Sequence, residues 1–440
     1  MNLRHAIPHC PLVEPTRKPA IGPSAPPIAS KDQVQASVFR WMLAGILFFL
    51  IHASLIAHHT YFSASKRNTV MPPPRAKVFG PAPWEQWSNV FDLNRWDAIL
   101  YEEIAKNGYP PPNANGSESF LLVWFPGYPL LVRLLSNAMR QPIPPILSLV
   151  SAIGTLAFWL LLWSSPIMRR TLGLKSLTIV SILILIWPGA FFWFAGMTEP
   201  LIALLTLAVI VAWISDRSTA ALVLCGLGTS IKQVFAPIGL ILVSIRWLRK
   251  RPGPIRTLSW LALSWSGLLA YSIYCWIVHG DFIAYAHAAR PIYGRVITLR
   301  AFIDIPNFFQ YAQTMNGGSA IANYGLVIVT AAIWLVHQRG KGTWREMAGG
   351  EIPLSFFLWT VGGACMALYI SFDAYGFSPY RFTNFLRYQT TNVAHFLLAA
   401  YLLRQARTRI LCLGLLPLAA VGLYWQNELT VRYWNWWWVS

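Results

Sequence analysis

Two carboxylates and three cations stand out in a chain that carries few charges. Asp97 lies in Trp96-Asp97-Ala98 and Glu199 in Thr198-Glu199-Pro200, while Lys232 sits at a break in an apolar stretch, Arg295 between two apolar runs and Arg387 just before one. A carboxylate in the first turn of an outer helix can act as a general base, taking a proton from a hydroxyl within hydrogen-bond reach. Guanidinium forks match phosphate geometry, and a lysine at a helix break can hold a phosphate as a point charge. Each residue also has a plainer role. Asp97 can cap a helix and complement its dipole, and Glu199 can be a solvated turn residue after Gly196. Lys232 can snorkel to an interface, and either arginine can serve as an interface anchor. A carboxylate at the membrane edge is nonetheless costly enough to make Glu199 a candidate acceptor-binding or second acidic group.

The elements that must position these residues are apolar. Of 440 residues, 55% are hydrophobic and only 12% charged, about half the charged share of a soluble domain. Runs near 38–59, 142–163, 176–196, 198–215, 257–279, 320–338, 353–372, 388–404 and 410–426 predict membrane crossings. Residues 120–139 hold Pro126, Gly127, Pro129 and Arg133 and predict a membrane-associated helix that begins at the prolines and does not span. Residues 219–248, broken by Gly226, Gly228, Lys232 and Pro237, predict two short helices meeting near the outer face. The fold class expected is therefore an all-α polytopic membrane protein with eleven transmembrane helices.

Charge sets the orientation. The chain has 35 Lys+Arg against 16 Asp+Glu, a net +19. With the N-terminus inside, the dense clusters Arg169/Arg170/Lys175, Arg246/Arg249/Lys250/Arg251/Arg256, Arg339/Lys341/Arg345 and Arg404/Arg407/Arg409 all fall on the cytoplasmic side. The positive charge is thus topogenic, and no nucleic acid is needed as a partner. Residues 1–37, with seven prolines, are expected to form a disordered cytoplasmic tail ahead of a transmembrane domain over 38–440. Segments 60–141, 280–319 and 373–387 are the outer loops, and 60–141 is long enough to carry amphipathic helices and the chemistry. In the first of them Trp96, Ile99, Leu100 and Ile104 make one face of a helix over 96–105, expected to lie on the membrane.

Trp96-Asp97-Ala98 with Tyr101, Ile104-Ala105 and Gly108-Tyr109, followed by Phe125-Pro126-Gly127-Tyr128-Pro129, resembles the PIG-V family of multi-pass mannosyltransferases, within the GT-C superfamily. The likeness extends through Thr198-Glu199-Pro200, Gly280-Asp281-Phe282, Tyr293-Gly294-Arg295 and Arg387-Tyr388, with Gly127 a departure from the family's pattern. The resemblance implies a GT-C-type fold and an inverting sugar transfer on the non-cytoplasmic face. The donor implied is a polyprenyl-phosphate sugar, the acceptor a lipid or a glycan. Asp97 matches the family's catalytic base, with Glu199 as a second catalytic carboxylate. Trp96, Tyr101, Lys232, Arg295, Arg387 and Tyr388 are the expected substrate contacts.

No Asp-x-Asp pair occurs in an outer loop, and Glu102-Glu103 lies a turn past Asp97, so the expected transfer uses no metal and no cofactor. His58 and His59 are adjacent and cannot both face one ion on a regular helix, which makes them interfacial. Two other classes fit a polytopic chain. A lipid or solute transporter should show paired broken helices in two related halves. A non-catalytic subunit of a glycosylation or cell-envelope complex need not keep Asp97, Glu199 and the cations together.

Overall fold

The computed structural model describes residues 31–64, 94, 97–112, 119–250, 252–293, 387, 390–403 and 406–434. Among these the regular structure is entirely helical: α1 Lys31–Ala64, α2 Asp97–Asn107, α3 Gly127–Met139, α4 Ile143–Ser164, α5 Pro166–Leu185, α6 Glu199–Ile214, α7 Ser218–Ile231, α8 Phe235–Lys250, α9 Pro254–Ser264, α10 Ser266–His279, α11 Ala284–Tyr293, α12 Val393–Leu403 and α13 Thr408–Trp434. Trp96, Arg295 and Tyr388, the apolar runs 320–338 and 353–372, and the rest of the second outer loop beyond 293 lie outside the described residues.

Three helical stretches are long and apolar enough to cross a membrane: Ser37–Thr60, Ile143–Ser164 and Thr408–Val431. A fourth is possible by length if α9 and α10 count as one span, but they are bent by 74°. The eleven crossings expected from the sequence are not reached among the described residues. Helix α1 begins at Lys31, so the last seven residues assigned to the tail join the first helix.

Helix α4 is the spine. It packs against α1, α6, α2 and α3, and α6 in turn packs on α7. Its first turn is Ile143-Pro144-Pro145, where proline's missing N–H costs nothing. Buried Leu147, Val150, Phe158, Trp159 and Leu162 join it to the main core.

Two apolar runs fold differently from the expectation. The 176–196 run is not one crossing: α5 starts at Pro166, carries Arg169, Arg170 and Lys175, and stops at Leu185. Pro188 and Gly189 follow, and the chain turns through a short 3-10 segment, Ala190–Phe194. Gln426 of α13 closes that end, its Nε2 donating to the carbonyls of Leu185 (3.3 Å) and Trp187 (3.1 Å), the latter also accepting the Ala190 N–H at 2.9 Å. His59 lies 3.1 Å from Gln426 Oε1 and is buried, whereas its neighbour His58 is exposed, so the pair is not a common interfacial feature. The 257–279 run is likewise broken, at Trp265, whose Nε1 donates to the Ala236 carbonyl of α8 at 2.9 Å. The close fit of α10 on α7 depends on Gly267, where a Cβ would stand 2.7 Å from Ser230 Cβ.

The expected breaks at the other two places are present. The 3-10 turn Phe120–Val123 precedes α3, which begins at Gly127, and the α7–α8 pair is interrupted at residues 232–234. Gly127 meets the last turn of α7 ahead of that interruption, since a Cβ there would come 2.8 Å from the Ser230 carbonyl oxygen. Helix α2 starts where the sequence places it, but its apolar face does not lie on a membrane. Ala98, Leu100, Tyr101, Ile104 and Ala105 are buried within the chain, because the same periodicity serves protein and lipid alike.

Candidate active site

Four of the eight expected site residues form a chain of alternating charge. Lys232 Nζ donates to Glu199 Oε1 at 3.1 Å, Arg387 Nε donates to the same oxygen at 2.6 Å, and Arg387 Nη1 donates to Asp97 Oδ2 at 2.6 Å. The sequence separates Asp97 from Arg387 by 290 positions and Glu199 from Arg387 by 188. Two carboxylates and two cations leave the group without net charge. Burial is graded along it: the Glu199 and Arg387 side chains are 0% and 3% exposed, those of Lys232 and Asp97 12% and 14%. The two ends are therefore the approachable members, and the middle pair is sealed.

Each member is placed by a local reason. Asp97 and Glu199 are the first residues of α2 and α6, where the positive end of a helix favours a carboxylate. Pro200 at the second position fits the same first turn. Lys232 ends α7 in extended geometry, φ −159° and ψ 138°, with its N–H bonded to the Gly228 carbonyl at 2.9 Å. The Arg387 guanidinium stands 5.4 Å from the ring centroid of Phe192, whose face is suited to a cation. Glu199, sealed between two cations, does not reach the surface as an acceptor-binding group would. In this arrangement it orients Arg387 and Lys232.

Tyr101 lines the same place, its hydroxyl 3.5 Å from Thr198 Oγ1 and its ring edge-on to Tyr128 at 4.9 Å. Burial, then the nearby charges of Asp97 and Glu199, hold its phenol well above the ordinary tyrosine range. Tyr101 is therefore a neutral hydroxyl beside the carboxylates. Among the described residues no group of three His, Cys, Asp or Glu gathers as metal ligands would.

The sequence reading missed the residues that hold the two carboxylate loops. Ser148 Oγ donates to Asn94 Oδ1 (3.3 Å) and Asn94 Nδ2 donates to the Pro144 carbonyl (2.8 Å), three residues before Asp97. Ser151 Oγ donates to the Met197 carbonyl (3.2 Å) and Thr155 Oγ1 to that of Trp193 (2.9 Å), both in the segment that leads to Glu199. Positions 144, 148, 151 and 155 follow the spacing of one helix face. Three hydroxyls at intervals of three and four in an otherwise apolar run were the signal available in the sequence.

Comparison with known proteins bears on the part of the chain that holds three of the four charges. Curated proteins give no significant match. Among solved structures, the archaeal oligosaccharyltransferase AglB from Archaeoglobus fulgidus, in complex with an inhibitory peptide and a dolichol-phosphate, aligns with a TM-score of 0.42 and 13% identity. The alignment covers 87% of this chain and 56% of that one, so this chain spans little more than half of that protein's length. A likeness of that degree does not establish a common fold. The model of the family described as Mannosyltransferase (PIG-V) matches residues 31–245, a little under half of the chain, including Asp97, Glu199 and Lys232. The resemblance read from the Trp96-Asp97-Ala98 segment is thus borne out as a likeness: residues 31–245 of this chain are similar to the mannosyltransferase (PIG-V) family.

Proposed function

We propose that this protein is a glycosyltransferase of GT-C type that moves a sugar, with mannose as the family's precedent, from a polyprenyl-phosphate donor to a lipid or glycan acceptor on the non-cytoplasmic face of a membrane. The observation that carries the reading is the union of Asp97, Glu199, Lys232 and Arg387, drawn from distant parts of a chain similar to the PIG-V family, in one nearly sealed array. A scaffold subunit has no need of it.

In this reading Asp97 Oδ takes the proton of the acceptor hydroxyl as its oxygen forms a bond to C1 of the sugar. The bond from C1 to the phosphate oxygen breaks on the opposite side, and its electron pair leaves with the phosphate. Configuration at C1 is inverted. The donor phosphodiester carries one negative charge and the departing polyprenyl monophosphate tends toward two, so the step needs cations where that charge grows. Arg387 supplies a planar fork and Lys232 a point charge. Arg387 also bonds Asp97, so one guanidinium lies between the base and the place where the donor phosphate is bound. Glu199 keeps both cations in place, and Tyr101, Trp96, Arg295 and Tyr388 complete the substrate contacts.

The test is label transfer by purified protein in detergent, offered a panel of radiolabelled polyprenyl-phosphate sugars and a native lipid extract. Asp97→Asn keeps the size of the side chain and removes the base. Transfer by the wild type and a fall in kcat of about 10²- to 10⁴-fold in the variant is the result expected of a lost general base. Transfer that survives the substitution moves the base elsewhere, and no transfer from any donor overturns the enzyme reading.

A further inference from the structure

The two carboxylates of the array begin separate helices, and the segments that lead into those helices meet at Asn94 and Gly196. Asn94 is 1% exposed and is held at both ends of its amide by α4, through the Pro144 carbonyl and the Ser148 hydroxyl. Facing it is Gly196, with φ at +65°, where a Cβ would overlap Asn94 Oδ1 and reach within 2.9 Å of its Cγ and 3.4 Å of Leu147 Cβ. Any side chain at 196 would therefore displace the Asn94 amide, and the left-handed backbone there disfavours one in any case. Asn94 precedes Asp97 by three residues and Gly196 precedes Glu199 by three. Three residues span at most about 11 Å even when extended, so fixing the two contact points confines both carboxylates.

We propose that Asn94 and Gly196 form a latch that sets the distance between Asp97 and Glu199, and that they are positioning residues for the transfer step; the inference rests on the function proposed above. Neither would bind substrate. Their effect passes through the separation of the two loops, across which Arg387 must reach both carboxylates at once. Loosening the latch lets α2 drift on α4, and Arg387 then satisfies one carboxylate at the expense of the other.

The experiment combines Asn94→Ala, Gly196→Ala and the double variant in the full-length protein. Two readouts are taken: steady-state label transfer and amide hydrogen exchange of the first turn of α2. Asn94→Ala removes the hydrogen bonds to Pro144 and Ser148 and is expected to lower kcat by about tenfold with little change in the KM for donor. Exchange at residues 98–101 should accelerate. Gly196→Ala should be worse, because the new Cβ displaces a held amide. The double variant should be no worse than Gly196→Ala alone, since Asn94→Ala removes the atoms that collide. Independent structural damage would instead multiply the two effects, and that outcome overturns the proposal, as does a kcat for Asn94→Ala within twofold of wild type. Should Asn94→Ala fail to fold, Ser148→Ala removes the Ser148 bond to Asn94 and is expected to show the same pattern more weakly; no change in its exchange or kcat also overturns the latch. A wild type without transfer from any donor sinks the proposed function, while the exchange arm and its double-variant comparison still decide the latch.

Discussion

Glu199→Gln is the sharpest single perturbation of the array. The substitution keeps the shape of the side chain and one acceptor oxygen, but removes the charge that faces Lys232 at 3.1 Å and Arg387 at 2.6 Å. The four-residue group then changes from neutral to +1, with its middle member sealed from water. Each hydrogen bond to a charged group contributes about 1.5–3 kcal/mol. Breaking a buried pair by removing one partner costs about 3–5 kcal/mol, because the other charge is left uncompensated. If the share of one such bond is lost from the transition state, kcat/KM falls by about 10- to 150-fold. A second substitution separates charge balance from mere damage. Glu199→Gln combined with Lys232→Met returns the remaining pair, Asp97 and Arg387, to neutrality, and thermal stability in detergent should recover relative to Glu199→Gln alone. A coupling of about 0.5–3 kcal/mol between the two is the expected size for residues in contact. The reasoning is refuted if Glu199→Gln retains kcat/KM within twofold, or if the paired substitution is simply the sum of its parts. A kcat loss in Glu199→Gln as deep as that of Asp97→Asn, with KM unchanged, would assign the base to Glu199.

Three further outcomes follow from the geometry. Gly127→Ala places a Cβ 2.8 Å from the Ser230 carbonyl oxygen, a backbone atom that does not yield, and should cost about 1–3 kcal/mol of stability in a detergent melting curve, with the α3 and α7 amides exchanging faster. Tyr101→Phe should leave the pH–activity profile unchanged up to about pH 10, because a phenol whose pKa is raised stays protonated through that range; an alkaline limb present in wild type and absent in the variant would contradict this. Arg387→Lys replaces a fork that bonds two carboxylates with a single ammonium. It should lower kcat more than it raises the KM for donor, whereas an equal effect on a substrate-free stability measurement and none on kcat would count against a role in the reaction.

How much of this was legible in the sequence depends on whether the cause was local. The break at Lys232 could be read because glycines and a proline surround a cation within an apolar run, and the starts of α2 and α6 because Asp97 and Glu199-Pro200 are first-turn residues. The bend at Trp265 could not, since it follows from the indole's bond to Ala236 and from the close seat of α10 on α7, both long-range facts. The end of α5 was available in Pro188-Gly189 but was overridden by the apolar character of the residues on either side. The candidate site divides similarly. Asp97, Glu199, Lys232 and Arg387 were identified by type and placement; that one guanidinium would join both carboxylates depends on tertiary structure, and Asn94 gave no signal beside the chemistry-bearing residues around it.

The polar face of α4 has a mechanical consequence. The helix holds the Asn94 segment through Pro144 and Ser148 and the approach to Glu199 through Ser151 and Thr155. Because successive residues of a helix are turned by about 100°, a shift of one residue in its register would carry all four contacts away from their partners together. Motion of α4 as a rigid rod would therefore release or engage both carboxylate loops in a single event. No arrangement that keeps α4 helical and rotates it frees one loop while the other stays docked.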